Sequence, residues 1–288
     1  MRWMGDRESG NVEDRRGMSG GGIAVGGGLL GLVVLVISLL TGHDPGSLPS
    51  PDGSGSGNAP GVNRPVNSAR EEQEKKFVSV VLADTEDVWH ELFRQRLGKN
   101  YPEPKLVLFS GNSQSGCGFA SAATGPFYCP NDQRVYIDLQ FFDELQTRFQ
   151  AAGDFAQAYV VAHEIGHHVQ KLMGILDQVH AKERQVSKTE ANQLSVRTEL
   201  QADFLAGVWA HHAQKMKNIL EPGDLDEALR AASAVGDDRL QKQGRGYVVP
   251  DSFTHGTSEQ RARWFRLGFD TGDMSKMTEL FNRSYDSL

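Results

Sequence analysis

The chain has 288 residues, of which 23% are charged and 39% hydrophobic, a balance that suits a globular protein of one large or two modest domains. Its formal net charge is −7 and no basic run stands out, which argues against nucleic acid as a partner. Only two cysteines occur, Cys117 and Cys129. They are too few to form a zinc site alone, but they can form one disulfide in an oxidising compartment.

Residues 23–40 (IAVGGGLLGLVVLVISLL) form an uncharged, largely apolar run. A helix of this length reaches roughly across the hydrocarbon core of a bilayer. Arginines precede the run and no Lys or Arg follows it until Arg64, which predicts a cytoplasmic N-terminus and an extracytoplasmic remainder. The run therefore predicts one transmembrane helix that anchors the chain in the cell membrane.

A cleaved signal peptide is the alternative interpretation of this run. It is less favoured because the run exceeds a typical signal core and no A-x-A cleavage site follows it. The glycine pairs Gly22/Gly26 and Gly27/Gly31 have small-xxx-small spacing. They are compatible with a weak homodimer through a glycine-rich transmembrane face, and equally with glycine that is simply tolerated in a membrane helix.

The composition divides the chain into four segments. Residues 1–22 are predicted to be a cytoplasmic N-terminal segment and residues 23–40 the transmembrane anchor. Residues 41–70 are rich in Pro, Gly, Ser and Asn and offer too little apolar surface to offset their chain entropy, so we expect a flexible linker. Residues 71–288 are globular in character and long enough for one well-cored domain.

Within this domain, short strand candidates come first and helices follow. A helix over Thr85–Arg96 is predicted from Thr85 as its cap and an apolar face at Val88, Trp89, Leu92 and Phe93. Strands are predicted at 105–109, 126–129 and 134–137, and further helices at 141–150, 155–172, 189–217 and 224–241. This order predicts a mainly helical α+β fold with a small sheet.

The stretch AHEIGHHVQ, at 162–170, lies inside the predicted helix over 155–172. His163 and His167 are four residues apart, so they project from one face of the helix and can reach one metal ion. Glu164 is turned by about 100° from His163, which places it beside such an ion as a candidate general base. The alternative is a helix that carries surface histidines, and the motif H-E-x-x-H alone does not exclude it.

The predicted helix over 189–217 supplies two further candidates. Glu199 and Asp203 are four residues apart in RTELQADFLAGVWA, a stretch that is otherwise largely apolar. Carboxylates on a buried helix face are costly unless they are paired or bind a metal. Glu199 is therefore the candidate third ligand, and Asp203 is a candidate acceptor that orients one of the histidines. Ordinary surface acids are the alternative.

Together, HEIGHH and ELQADFLAG resemble the gluzincin pattern of zincin metallopeptidases, in which H-E-x-x-H is followed by E-x-x-x-D. The stretches LADTEDVW, GCGFASAATGPFYCP, VYIDLQFF and SFTHGTSEQRARWF are similar to the bacterial "putative neutral zinc metallopeptidase" family of the YpfJ type, over about residues 75–275. This resemblance implies a zincin-like fold and a Zn²⁺ cofactor. It further implies that His163, His167 and Glu199 are the zinc ligands and that Glu164 is the base.

His255, in SFTHGTSEQR, is a candidate catalytic residue. Zincins commonly present a His, Tyr or Arg to the oxyanion of the tetrahedral intermediate, and a loop before a helix can deliver one. The alternative is a loop histidine that precedes a helix capped by Thr257 and Gln260. For the remaining histidines a structural role is favoured: His90, His168, His180, His211 and His212.

Cys117 and Cys129 flank a stretch rich in Gly, Ser and Ala. If this part of the chain is extracytoplasmic, a disulfide that closes the loop is favoured and stabilises the fold by roughly 3 kcal/mol; free thiols are the alternative. Phe127 and Tyr128, bracketed by two prolines, fit an edge strand to which an extended peptide adds as a further strand.

The favoured hypothesis is a membrane-anchored zinc metallopeptidase, an endopeptidase that cleaves peptide or protein substrates on the extracytoplasmic side. The alternative is a non-catalytic, zinc-stabilised module or scaffold that presents a peptide-binding groove at the membrane. Glu164 favours the enzyme, because a binding module needs the ligands but no base. A latent protease, active only after a covering segment is displaced, is a third hypothesis.

Overall fold

The computed structural model describes residues 1–17 and 69–288, and over these ranges the fold is α+β and mainly helical, as predicted. The predicted transmembrane run at 23–40, its glycine-rich face and nearly all of the predicted linker lie outside the described residues. Among the helices that are described, none combines the length and apolar character that crossing a membrane requires.

The described strands form a four-stranded sheet and a separate hairpin. Their bounds are β1 Val12–Asp14, β2 Lys105–Phe109, β3 Asn112–Ser115, β4 Gly118–Ser121, β5 Phe127–Cys129 and β6 Arg134–Asp138. The sheet has the order β1-β2-β6-β5, in which β1, β2 and β6 are parallel and β5 is antiparallel to β6. β5 is therefore an edge strand, as predicted. The hairpin of β3 and β4 was not predicted, because these strands are short and largely polar.

The N-terminal residues are part of this folded body, which differs from the predicted division. β1 pairs with β2 in parallel register, and the Arg16 guanidinium is 2.7 Å from both Asp14 and Glu72. The amino group of Met1 lies 2.5 Å from the carboxylate of Asp154. The predicted segment 1–22 is thus not separate from the domain over residues 1–17, since backbone pairing and buried ion pairs hold both parts together.

Helices form most of the remaining structure. Their bounds are α1 Ala69–Leu92, α2 Gln140–Thr147, α3 Asp154–Leu172, α4 Ile175–Glu183, α5 Lys188–Lys217, α6 Asp224–Ala234, α7 Asp237–Arg245, α8 Ser258–Thr271 and α9 Glu279–Asn282. α1 begins well before the predicted residue 85 and continues as one π-helical turn, Phe93–Leu97, which ends at Gly98. α3 and α5 agree with the prediction within a residue at each end.

The predicted helix over 224–241 is two helices, α6 and α7, because Val235 and Gly236 leave the helical conformation between them. α4 was not predicted. α8 begins at the predicted cap, where Thr257 and Gln260 exchange hydrogen bonds between their side chains and backbones.

The close packing of α3 against α5 positions the site. A Cβ atom on Gly166 of α3 would lie 2.9 Å from the carbonyl oxygen of Ala202 in α5, closer than such atoms approach. Glycine at this position therefore lets the two helix backbones touch. Ala202 lies between Glu199 and Asp203, so the contact brings both carboxylates to the face of α3 that carries His163.

Candidate active site

Helices α3 and α5 bring the three predicted metal ligands together. The Nε2 atom of His163 is 3.2 Å from Glu199 Oε2, and the Nε2 atom of His167 is 3.4 Å from Glu199 Oε1. One ligand atom from each of the three residues lies within 4.8 Å of the other two. All three side chains are largely buried, at 9%, 14% and 13% exposure for His163, His167 and Glu199. Two imidazoles and one carboxylate in this arrangement match the donor set of a catalytic zinc site.

Asp203 fixes the tautomer of His163. Its Oδ1 atom is 2.8 Å from His163 Nδ1. Since a buried carboxylate accepts hydrogen bonds, Nδ1 carries the hydrogen and Nε2 is left as the ligand atom. The same carboxylate accepts from the Tyr159 hydroxyl at 2.5 Å and from Arg261 Nε at 2.8 Å. Asp203 thus contacts His163, Tyr159 and Arg261 at once.

His167 is oriented by an amide instead of a carboxylate. Its Nδ1 atom is 2.8 Å from the Oε1 atom of Gln170, one turn further along α3. The amide oxygen accepts the Nδ1 hydrogen, so Nε2 of His167 also faces the site as a free ligand atom. Both histidines of the motif therefore present the same ring nitrogen.

The site attracts positive charge. Burial raises the pKa of Glu199, but the neighbouring imidazoles of His167 and His163 outweigh burial and hold this pKa well below its ordinary value. Burial lowers the pKa of His163, yet the charges and hydrogen bonds of Asp203 and Glu199 raise it to about 10. An anionic carboxylate that is held among imidazole nitrogens in a largely buried position fits a divalent cation.

The Glu164 side chain belongs to the same helix and is largely buried, with the whole residue 7% exposed. As the residue after His163 it is turned by about 100° around α3, so it lies beside the two ligands and not in line with them. A carboxylate in this position can exchange a proton with a water molecule at the metal.

The loop before α8 holds His255 near the site. The buried carboxylate of Asp237 accepts hydrogen bonds from the backbone N–H groups of Thr254, His255 and Gly256 at 2.7, 2.6 and 3.2 Å. It also lies 3.2 Å from His255 Nδ1. The Asp237 and Glu199 carboxylates raise the pKa of His255 against the effect of burial. The imidazole of His255 thus lies close enough to Glu199 for the two charges to interact.

Tyr159 and Arg261 were missed in the sequence. Arg261 is 3% exposed, and its guanidinium binds both oxygens of Asp203 and lies 3.2 Å from the Tyr159 hydroxyl. A signal for Arg261 exists, because it is a charged residue on the helix face that also carries Trp264 and Phe265. Its partner, 58 residues away, could not be inferred from this pattern.

Four of the other histidines make structural contacts: His90, His168, His211 and His212. His168 is fully buried between the Tyr128 hydroxyl at 3.0 Å and the carbonyl of Pro102 at 2.7 Å, and burial lowers its pKa to about 4. His211 and His212 bond to backbone carbonyls at the end of α8, and His90 pairs with Glu103. In the described part of the chain, the clustered metal-binding groups include none of these residues.

Cys117 and Cys129 form the predicted disulfide, with their Cα atoms 5.7 Å apart. The bond joins the turn of the β3–β4 hairpin to the edge strand β5. Tyr128 of that strand is 8% exposed and directs its hydroxyl to His168 on α3, so the edge strand is fixed to the helix that carries the metal ligands.

Comparison with known proteins places these features in a family. A sequence profile of the family described as "Putative neutral zinc metallopeptidase" matches residues 1–280. The protein YpfJ of Escherichia coli (strain K12) is 50% identical over 281 residues, which cover 95% of this chain and 96% of the relative. The protein Rv2575 of Mycobacterium tuberculosis (strain ATCC 25618 / H37Rv) is 48% identical over 183 residues, covering 60% of this chain and 61% of the relative. No solved structure is significantly similar to the chain.

Proposed function

Because the chain belongs to the "putative neutral zinc metallopeptidase" family, we propose that it is a zinc-dependent endopeptidase that hydrolyses peptide bonds in peptides or proteins. One observation carries the proposal: His163, His167 and Glu199 converge around one position, and the largely buried Glu164 follows His163 on the same helix. A site that only stabilised the fold would need the ligands but not the additional carboxylate.

Each residue has a distinct role in the proposed reaction. His163, His167 and Glu199 hold the zinc ion. A bound zinc ion supplies Lewis acidity, which polarises the scissile carbonyl and acidifies the attacking water. Glu164 accepts the proton of that water and passes it to the leaving amine. Asp203 holds His163 in the orientation that keeps its Nε2 atom directed at the site.

His255 is proposed to stabilise the oxyanion that develops on the substrate carbonyl. Its support is the loop geometry, in which Asp237 holds both the backbone and Nδ1 of His255. Because the Asp237 carboxylate accepts the Nδ1 hydrogen and raises the pKa of His255, it favours the protonated ring, in which the opposite nitrogen Nε2 carries a second hydrogen that it donates to a substrate oxygen.

The substrate is proposed to bind in extended form along β5. This strand is the edge of the four-stranded sheet and packs against α3, so its outer backbone is the position at which a peptide can add as a further strand. Strand addition requires no free amino or carboxyl terminus on the substrate, so this mode of binding supports cleavage within a chain, as an endopeptidase performs it.

The peptidase is further proposed to work at a membrane and outside the cytoplasm. The apolar run at 23–40 supports membrane attachment. The Cys117–Cys129 disulfide supports an oxidising compartment, because such bonds are rare in the reducing cytoplasm.

The test measures zinc content and cleavage of an unbiased peptide library by the full chain, which is needed because residues 1–17 supply β1. Wild type is compared with Glu164→Gln and Glu199→Ala, and with Glu144→Gln as the control for carboxylate loss at an exposed position of α2. We expect Glu164→Gln to keep zinc and lose cleavage, Glu199→Ala to lose both, and Glu144→Gln to retain both. Full cleavage by zinc-loaded Glu164→Gln would refute the proposal.

A further inference from the structure

The side chain that orients His167 is part of a longer buried chain of hydrogen bonds. Gln170 is fully buried, and its Oε1 atom lies 2.8 Å from His167 Nδ1. Its Nε2 atom donates to the Thr198 carbonyl at 2.7 Å and to the Oε1 atom of Gln201 at 3.0 Å. Each polar atom of the Gln170 amide therefore has a protein partner.

These partners determine which way the Gln170 amide faces. A backbone carbonyl can only accept a hydrogen bond, so the NH₂ group of Gln170 must face Thr198. The oxygen of the amide then faces His167 and can accept only from a protonated Nδ1. The orientation of the amide thus dictates the tautomer of the metal ligand.

The second glutamine extends the chain to the C-terminal segment. Gln201 is 1% exposed, and its Nε2 atom donates to the carbonyl of Met277 at 3.0 Å. Since this carbonyl also only accepts, the oxygen of Gln201 must face Gln170. Met277 belongs to a 3₁₀ turn, Met274–Thr278, which follows α8 and precedes α9.

We propose that Gln170 and Gln201 are positioning residues that hold His167 for the metal, with the carbonyl of Met277 as the fixed end of their hydrogen-bond chain. This inference rests on the proposed zinc site. The three groups form a relay, from the Met277 carbonyl through Gln201 and Gln170 to His167. The relay carries no formal charge, whereas His163 is held by the anionic Asp203.

A purely structural role for the two glutamines makes a different prediction. If they only satisfied buried polar groups between α3, α5 and the C-terminal segment, their loss would lower the free energy of unfolding without a specific change at the metal. Orienting contacts to a ligating histidine typically contribute about 10–100-fold to metal affinity. Zinc affinity of the folded protein therefore separates the two roles.

The experiment measures the zinc Kd of the full chain by chelator competition, without any substrate. The variants are Gln170→Met, Gln201→Met and the double variant. Arg197→Met is the control, because Arg197 donates to the Leu280 carbonyl in the same segment and anchors it to α5 by another route. Thermal unfolding of each metal-free variant and the visible spectrum of each cobalt-substituted variant are recorded alongside.

We expect Gln170→Met to weaken zinc binding by about 10–100-fold and Gln201→Met by about 5-fold, the equivalent of one hydrogen bond. The double variant should bind no more weakly than Gln170→Met, because both act through His167. The cobalt spectrum should shift in these variants. Arg197→Met should lower the unfolding temperature but leave the zinc Kd within about twofold and the spectrum unchanged.

A zinc Kd within twofold of wild type for Gln170→Met would overturn the inference. Equal changes of the zinc Kd in Gln201→Met and Arg197→Met would overturn it as well. If Gln170→Met does not fold, the zinc Kd of Gln201→Met is compared with that of Arg197→Met instead. This comparison is sufficient because Gln201→Met leaves every side chain that contacts His167 in place. Failure of the proposed function is a separate result: the wild type binds zinc but cleaves no peptide.

Discussion

At the scale of single residues, the carboxylate of Asp203 connects three helices. It is fully buried and accepts hydrogen bonds from His163 and Tyr159 of α3 and from Arg261 of α8, while its own backbone belongs to α5. The Arg261 and His163 charges hold the pKa of Asp203 below its ordinary value although burial raises it. The same contacts that orient a metal ligand therefore also join three helices.

Asp203→Asn is expected to destabilise the fold as well as the metal site. The amide removes the negative charge and leaves the Arg261 guanidinium buried without an ionic partner, which costs about 3 kcal/mol. Urea unfolding of the metal-free protein measures the change. Asp226→Asn, at an exposed position of α6, is the control and should stay within about 0.5 kcal/mol of wild type. An equally small change for Asp203→Asn contradicts the expectation.

His255→Ala is expected to lower kcat about 10²–10³-fold with zinc content unchanged, because the oxyanion loses a hydrogen-bond donor. Asp237→Asn should lower kcat less, through misorientation of His255. In the His255→Ala background, Asp237→Asn should then have no further effect on kcat. His90→Ala, an exposed histidine paired with Glu103, is the matched control. Unchanged kcat in zinc-loaded His255→Ala removes His255 from the mechanism.

At the scale of elements, the sequence predicted α3 and α5 almost to the residue, because both are long and carry regular apolar patterns. It therefore predicted His163, His167, Glu199 and Asp203 as one cluster. The role of Gln170 and the partner of Arg261 were beyond reach, since both depend on the packing of separate helices.

The strand β1 also could not be predicted from its own residues. Val12 is the only apolar residue among its three positions, so the sequence carries no alternating pattern. The strand forms because its backbone pairs with β2, whose residues Leu106, Val107 and Leu108 are fully buried. The stabilisation comes from the partner strand and from the ion pairs around Arg16, and neither is visible in a window of three residues.

Asp14→Asn tests those ion pairs by their pH dependence. Hydrogen bonds from Arg16 and Lys75 outweigh burial and hold the pKa of Asp14 well below its ordinary value of 3.8. A lowered pKa in the folded state stabilises the protein above the unfolded value, and this stabilisation is lost as the pH falls below about 4. We expect Asp14→Asn to reduce the free energy of unfolding by about 1–2 kcal/mol at pH 7.

The difference between wild type and Asp14→Asn should shrink progressively below pH 4, and urea unfolding at pH 7, 5 and 3 measures it. Because both proteins contain the same metal site, its titration cancels in the difference. A constant difference across this range would show that Asp14 acts through packing and not through charge.

At the scale of the whole molecule, the described residues that come just before and just after residues 18–68 lie close together. Arg16 contacts Glu72 at 2.7 Å, and Lys75 contacts Asp14 at 3.0 Å. A single membrane crossing by residues 23–40 would place β1 and β2 on opposite sides, where they could not pair. Residues 41–68 are too polar to cross back. We therefore expect residues 1–17 and 69–288 on the same side of the membrane, in contrast to the cytoplasmic N-terminus and extracytoplasmic remainder that the sequence alone predicts.

Cysteine labelling in intact cells tests this topology. Met4 and Phe119 are 78% and 62% exposed, and the two native cysteines are joined in a disulfide. A membrane-impermeant maleimide should label Met4→Cys and Phe119→Cys together or leave both unlabelled. Permeabilised cells serve as the control for full reactivity. Labelling of one position without the other would show that β1 and β2 do not pair in the cell.

Because β1 pairs with β2, the fold can also be held together as two separate fragments of the chain. A proteolytic cut anywhere in residues 18–68 separates a short N-terminal peptide from the rest of the chain while the strand contacts remain. Binding of this peptide to the rest of the protein is then a bimolecular equilibrium, so the stability of the cut protein depends on its concentration. Loss of the peptide leaves the apolar strand β2 as an open sheet edge, ready to pair with another molecule.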